Sequence, residues 1–287
     1  MMPESIDEPV RLSPTQQKEI AERMATCPFV GTAVATGLLQ VLNTADNPLA
    51  SIDDVARLGD SGGGNLGTKV LKLFARGNHS QMLNAGDGGR PDVPHGTFNL
   101  QFGGSQGAHA GHSGILLGDP EEVGRGRLDP PQFDRLAEHA DKNGRLSIDA
   151  VGDFIAENLK KDPKREVFPA SKFIRDTLRL VREVKDVVFG GDDLETEKTE
   201  AIAALTKLLG ADHLMGSAGE WGLLFAFLKN SPSSAHGDIA LADVKMMFVD
   251  KKFPDGWESW EKDAFDWVTA TSRLATDAAF AYHLSRK

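Results

Sequence analysis

Cysteine is almost missing from this chain: Cys27 is the only one in 287 residues. A lone cysteine closes no intrachain disulfide, so no covalent framework supports the fold. That scarcity suits a reducing compartment. An excess of positive charge is missing too. Lys and Arg number 32 against 42 Asp and Glu, giving a net charge of −10 and a pI near 5.3. Phosphate recognition wants clustered Lys and Arg, so no nucleic-acid partner is expected. No stretch approaches the ~20 uninterrupted apolar residues of a transmembrane helix, which speaks against a membrane span. The amino-terminal "MMPESIDEPVRLSPTQQKE" lacks the basic start and apolar core of a signal peptide, and an intracellular location is the expectation. Alternating apolar and polar runs of useful length are absent, which leaves little room for half-buried strands.

What is present is helical in pattern. The composition, 40% hydrophobic and 26% charged, is that of a globular chain with one large core or two modest ones. Residues 14–41 read as a helix, with Ser13 able to cap and Pro14 suited to the first turn. Ser51 opens a short helix over 51–58, with Asp53 and Asp54 in its first turn. From residue 130 onward amphipathic helices dominate: 130–141, 147–162, 170–189, 194–210, 217–230, 240–252 and 258–287. Residues 84–127 differ. They are dense in glycine and hold His95, His109 and His112. Long irregular segments of this kind are uncommon inside a domain. The expectation is a mainly α, single domain over 1–287, without repeats. It carries a Gly/His-rich irregular insertion at 84–127 and a C-terminal helical extension at 258–287.

Three stretches carry possible chemistry. The first is "EHADKNGRLSIDA", Glu138 to Ala150. Aligned as a calcium loop on Gly144, it puts His139 at the first ligand position and Ala150 where a bidentate glutamate belongs, and both are wrong for calcium. The plain reading is a polar loop between helices. The second is "HLMGSAGEWGLLFAFL", in which His213 and Glu220 stand seven residues apart. With Gly216 and Gly219 breaking the helix between them, the two would approach as an acid–base pair. On a regular helix the two share a face but stand too far apart for contact, and the plain reading is a cap region followed by a core helix, with Glu220 near its N-terminus, where the helix dipole favours an anion. The third is Cys27, directly followed by Pro28. It is either a small buried hydrophobe or a thiolate ligand to iron, which is a strong electron donor.

In chain order these pieces resemble the fungal haem-thiolate peroxidases, chloroperoxidase and the unspecific aromatic peroxygenases. The family's Pro-Cys-Pro motif is matched by Thr26-Cys27-Pro28, without the first proline. Its Glu-His-Asp motif is matched by Glu138-His139-Ala140-Asp141, stretched by one residue. Its Ala-Tyr-Gly-Glu phrase is matched by Ala218-Gly219-Glu220, with His213 where one branch has Arg. Its closing phrase is matched by Phe248 and by Phe253-Pro254-Asp255-Gly256-Trp257. The resemblance implies a helical bundle around haem b, with Cys27 as axial iron ligand and Pro28 shaping the turn beside it. It also implies Glu220 as acid–base toward hydrogen peroxide, with His213 orienting it. Magnesium is implied at Glu138, the His139 carbonyl and a third ligand, a serine in the family, whose place Asp141, Asn143 or Ser147 could take. The reaction implied is peroxide-driven oxidation or oxygenation of a small organic substrate. The competing expectation is a non-enzymatic helical protein that binds a cation or haem as an interaction or sensor module. Substrate and oligomeric state are not legible in the sequence.

Overall fold

The structure, a computed structural model, describes residues 12–23, 27–42, 48–72, 74–75, 96–100, 114–115, 128–161, 175 and 213–284. Among them the chain forms eight α-helices and four strands of two or three residues each. The helices expected over 170–189 and 194–210 lie outside the described residues, as does most of 84–127. Within that last segment, Thr97–Asn99 forms a strand, β2, rather than irregular chain.

Helix α1 (Pro14–Arg23) starts as expected. The Gln16 amide donates to Ser13 Oγ at 3.3 Å and Gln16 Oε1 accepts from the Ser13 amide at 2.9 Å. That reciprocal pair is a capping box. The single helix expected over 14–41 is interrupted, however. Proline disfavours the α conformation of the residue before it. Cys27 is extended (φ −68, ψ 122) and becomes the N-cap of a second helix, α2 (Pro28–Ala35). Strand β1 (Leu49–Ser51) pairs antiparallel with β2, Ala50 opposite Phe98. Helix α3 (Ile52–Gly59) follows, and its Asp54 amide donates to Ser51 Oγ at 3.2 Å. A wide π-type turn at Gly67–Leu71 is capped by Asp60, whose carboxylate accepts from the Gly67 amide at 2.6 Å.

The remaining elements form two helix–loop–helix units. One is α4 (Pro130–Glu138), β3 (Arg145–Leu146) and α5 (Ile148–Lys161). The other is α6 (His213–Leu228), β4 (Ile239–Ala240) and α7 (Leu241–Lys245). The two loops join through β3 and β4, antiparallel, with Leu146 opposite Ile239. Each loop turns on a left-handed glycine two residues before that pair, Gly144 (φ +70) and Gly237 (φ +88). Each exit helix begins two residues after it. In each loop the glycine supplies the positive φ that lets the chain turn sharply into the short antiparallel pairing. The expectation of no repeat gives way to a structural repeat whose two copies share spacing but not sequence.

Helix α8 (Ala264–Leu284) packs against α5 and α6. Trp267, Leu274, Ala275 and Ala278 are fully buried, and Trp267 Nε1 donates to the Gly219 carbonyl at 3.0 Å. The segment expected as a C-terminal extension is therefore a central piece of the core. One apolar cluster runs from Ile20 to Tyr282. Buried Lys262 stitches residue 61 to the segment before α8. Its Nζ donates to the carbonyls of Ser61 (2.6 Å), Trp260 (2.7 Å) and Trp257 (2.8 Å).

Candidate active site

Cys27 sits where Pro28 starts α2, so its sulfur lies at a helix N-terminus. The amides of Phe29 and Val30 face it and favour the thiolate, as does the Lys251 ammonium. Burial is the larger effect, aided by the Glu220 carboxylate, and pushes the thiol up to about 11. At neutral pH such a thiol stays protonated and is a poor nucleophile. Binding to a metal ion would deprotonate it outright. A half-buried, helix-capping cysteine of this kind suits ligation better than thiol catalysis.

Beside it lies a cavity of about 60 Å³, set in a concavity whose empty space, mouth included, is about 840 Å³. Five phenylalanines line it: Phe29, Phe74, Phe98, Phe227 and Phe248. Apart from the Cys27 thiol, Glu220 is the one polar or charged side chain in the lining among the described residues. Glu220 projects from the middle of α6 and is only 9% exposed. Cys27 and Glu220 are 193 residues apart in the chain, and the packing of α2 and α6 brings them to one cavity. Behind it stands an aromatic wall. Phe29 meets Phe227 edge-on at 5.1 Å, and Phe253 stacks on Trp257 at 4.1 Å. The phrase Phe253-Pro254-Asp255-Gly256-Trp257 thus ends against the cavity, its turn made by Gly256 (φ +80).

The other expected residues fall elsewhere. Gly216 and Gly219 do not break α6, which runs unbroken from His213 to Leu228. The backbone of His213 is two turns, about 10.5 Å along the axis, from that of Glu220. The approach expected from a broken helix is not made. Glu138 is exposed at the end of α4. His139 caps that helix, packs edge-on against Phe154 and places Nε2 3.5 Å from Glu157 Oε1. Ser147 Oγ accepts from the Ala150 amide at 3.1 Å, at the start of α5. Asp141 accepts from the amides of Arg145 and Asn143, each at 2.8 Å. The Arg145 amide chiefly holds its carboxyl below the usual range. The side chains of Glu138, His139, Asp141 and Ser147 do not line the cavity, and among the described residues no three His, Cys, Asp or Glu are grouped to hold a metal ion.

The donor set fits a haem in part. A sulfur at a helix N-terminus, an apolar aromatic lining and one acid are what a flat macrocycle with a thiolate ligand needs, while the enclosed space of about 60 Å³ is far smaller than the macrocycle. The described lining offers no cation for carboxylate side groups. Sequence reasoning missed Lys251, a buried lysine near Cys27, and the roles of Phe74 and Phe98. No local signal marks these phenylalanines, because cavity-lining and core residues share one helical periodicity. Comparison with protein-family models, curated proteins and solved structures finds no match to this chain. Among the described residues no helix is long and apolar enough to cross a membrane.

Proposed function

We propose that this protein binds haem b through Cys27 and uses hydrogen peroxide to oxidise or oxygenate a small organic substrate. The observation that carries the reading is the meeting of Cys27 and Glu220 in one otherwise apolar cavity. A thiolate-ligated haem supplies an electron-rich iron that favours cleavage of an O–O bond. The chain's own residues do the rest. Cys27 holds the iron, with the Phe29 and Val30 amides steadying its charge and Pro28 fixing the turn. The Glu220 carboxylate takes a proton from entering peroxide and returns it to the departing oxygen. Such acid–base help is worth ~100 to 10,000-fold. The phenylalanines exclude water and leave room for an uncharged organic molecule. Magnesium at Glu138 and the His139 carbonyl is not part of the proposal, since among the described residues no three His, Cys, Asp or Glu are grouped to hold a metal ion.

The test is the absorption spectrum of the haem-loaded, reduced protein under carbon monoxide. A strongly red-shifted band is expected from thiolate ligation, and Cys27→Ser should abolish it. A parent protein that takes up no haem, or a Cys27→Ser variant with the parent band, overturns the proposal. The second reading is a non-enzymatic interaction or sensor module, favoured by the paired helix–loop–helix frame. Such a protein purifies colourless, or binds haem while Glu220→Gln changes nothing.

A further inference from the structure

The walls of the cavity beside Cys27 are held in place by contacts of their own. The wide turn Met246–Asp250 is fastened to α2, where Thr32 Oγ1 donates to the Met247 carbonyl at 3.1 Å. Met247 and Phe248 of that turn line the cavity with Phe29 of α2 and Phe227 of α6. Phe29 and Phe227 brace each other edge-on at 5.1 Å. The enclosed space of about 60 Å³ admits a group of a few heavy atoms, and the wider concavity receives the rest of a small molecule. Charge in the described lining has one sign, and Glu220 supplies it. The two buried lysines stand outside that lining. Lys251 ends the wide turn with a left-handed backbone (φ 51, ψ 46). Lys262 Nζ lies 5.4 Å from the Phe227 centroid, and the carbonyls of Ser61, Trp257 and Trp260 receive its protons. A carboxylate has about four acceptor positions, so Glu220 accepts a ligand N–H beside whatever it holds in the fold. The faces of the lining rings carry negative charge density and attract a cation within about 6 Å.

We propose that this cavity is a binding site for a small protonated amine with an apolar body. The nitrogen donates to the Glu220 carboxylate, and the body packs against Phe29, Phe98, Phe227 and Phe248. The selectivity follows from the lining. An anion meets the Glu220 carboxylate with no cation in the described lining to offset it. A neutral molecule of the same shape keeps the phenylalanine contacts but forfeits the ion pair, which is stronger in an apolar surround than in water. Loss of hydration opposes the entry of an ammonium, and the ring faces replace part of what it loses. The proposal goes beyond the haem reading and needs only the cavity. Its link to that reading is regulatory: an uncharged substrate leaves Glu220 to peroxide, whereas an amine occupies the acid–base and blocks that step.

The experiment is isothermal titration calorimetry at pH 7 on the full chain with no haem added, using benzylamine, benzyl alcohol and benzoate. The ligands share a ring and differ in the charge of the head group. Benzylamine should bind at least about tenfold more tightly than benzyl alcohol, the lower end of what a buried charge pair is worth, and benzoate should not bind. Glu220→Gln should bring benzylamine down to the affinity of benzyl alcohol and leave benzyl alcohol itself unchanged. That pattern supports the proposal. Equal affinity of amine and alcohol for the parent overturns it, as does an amine preference that survives in Glu220→Gln, or no binding of benzylamine. If Glu220→Gln fails to fold, the single thiol decides. Benzylamine should protect Cys27 of the parent from a maleimide, and an amine that binds without protecting Cys27 sits elsewhere and overturns the proposal. A thiolate-type carbon monoxide band in the haem-loaded protein, with no amine preference, overturns this proposal alone. An amine preference without that band overturns the haem reading alone.

Discussion

Glu220 sits in surroundings that make a carboxylate consequential. It is buried, and the cavity around it is lined by phenylalanines and aliphatic side chains. Glu220→Gln keeps the shape and removes the proton carrier. Haem content and spectrum should persist while peroxide consumption in stopped-flow mixing falls ~100 to 10,000-fold; parent rates in this variant would remove Glu220 from the mechanism. Cys27 permits a test without cofactor. Its folded-state value, about 11, lies above the ordinary thiol value of 9.0. Burial of the neutral thiol therefore contributes fully below pH 9 and is lost as pH rises towards 11. Alkylation of the native apoprotein should accelerate only near pH 11, and apoprotein stability should fall across that window by at most ~3 kcal/mol. A native thiol that titrates like a free one contradicts the buried placement. Both side chains were legible in the sequence, as a lone cysteine before proline and an acid inside an apolar helix. Lys251 was not, because its direction depends on one left-handed backbone angle that the Lys251-Lys252 pair does not announce.

At the scale of elements, proline and glycine read very differently. Pro28 breaks 14–41 into α1 and α2, because it constrains the residue before it, and this break is what makes Cys27 a helix cap. The glycines of α6 break nothing. Helix propensity is a weak prior that tertiary packing overrides, and α6 is enclosed by α5, α8 and the cavity. Gly222 has a reason of its own. A Cβ there would stand 2.1 Å from Thr271 Oγ1 and 3.0 Å from the Thr271 amide nitrogen. Backbone is involved, so rotating the threonine does not relieve the clash. Gly222→Ala should cost about 1–3 kcal/mol, the usual range for overpacking, read as a lower urea midpoint. Equal or greater stability would mean that α6 and α8 do not pack so closely. The strands were missed for a related reason. With two or three residues each, they show no alternation, and their pairing is set by the helices on either side.

At the scale of the molecule, the amphipathic pattern was enough to give the mainly α class, and composition was enough to argue against a basic surface. Neither told a core helix from an appended one. Since α8 fills the space against α5 and α6, ending the chain before residue 264 should leave no cooperative thermal transition. A truncated protein that melted like the parent would return α8 to the status of an extension. The paired loops make a second prediction at this scale. Asp141 is engaged by its own loop, and His139 and Ser147 by residues of α5, so prolonged treatment with a chelator should leave the haem spectrum and the melting temperature unchanged. A loss of either would place a structural cation in this frame.

The contact between Thr32 and Met247 spans 215 residues, and that between Lys262 and Ser61 spans 201. During synthesis this separates the making of Cys27 from the making of its pocket. Ribosomes add ~5–20 residues per second, so Phe227, Met247 and Lys262 follow Cys27 by roughly 10–45 s. Through that interval the first two helices have no opposite wall, and the thiol is open to any oxidant or metal nearby. Under the proposed function, haem loading accordingly waits until the later helices have closed the pocket, and the nascent protein depends on its surroundings to keep its single sulfur intact until then.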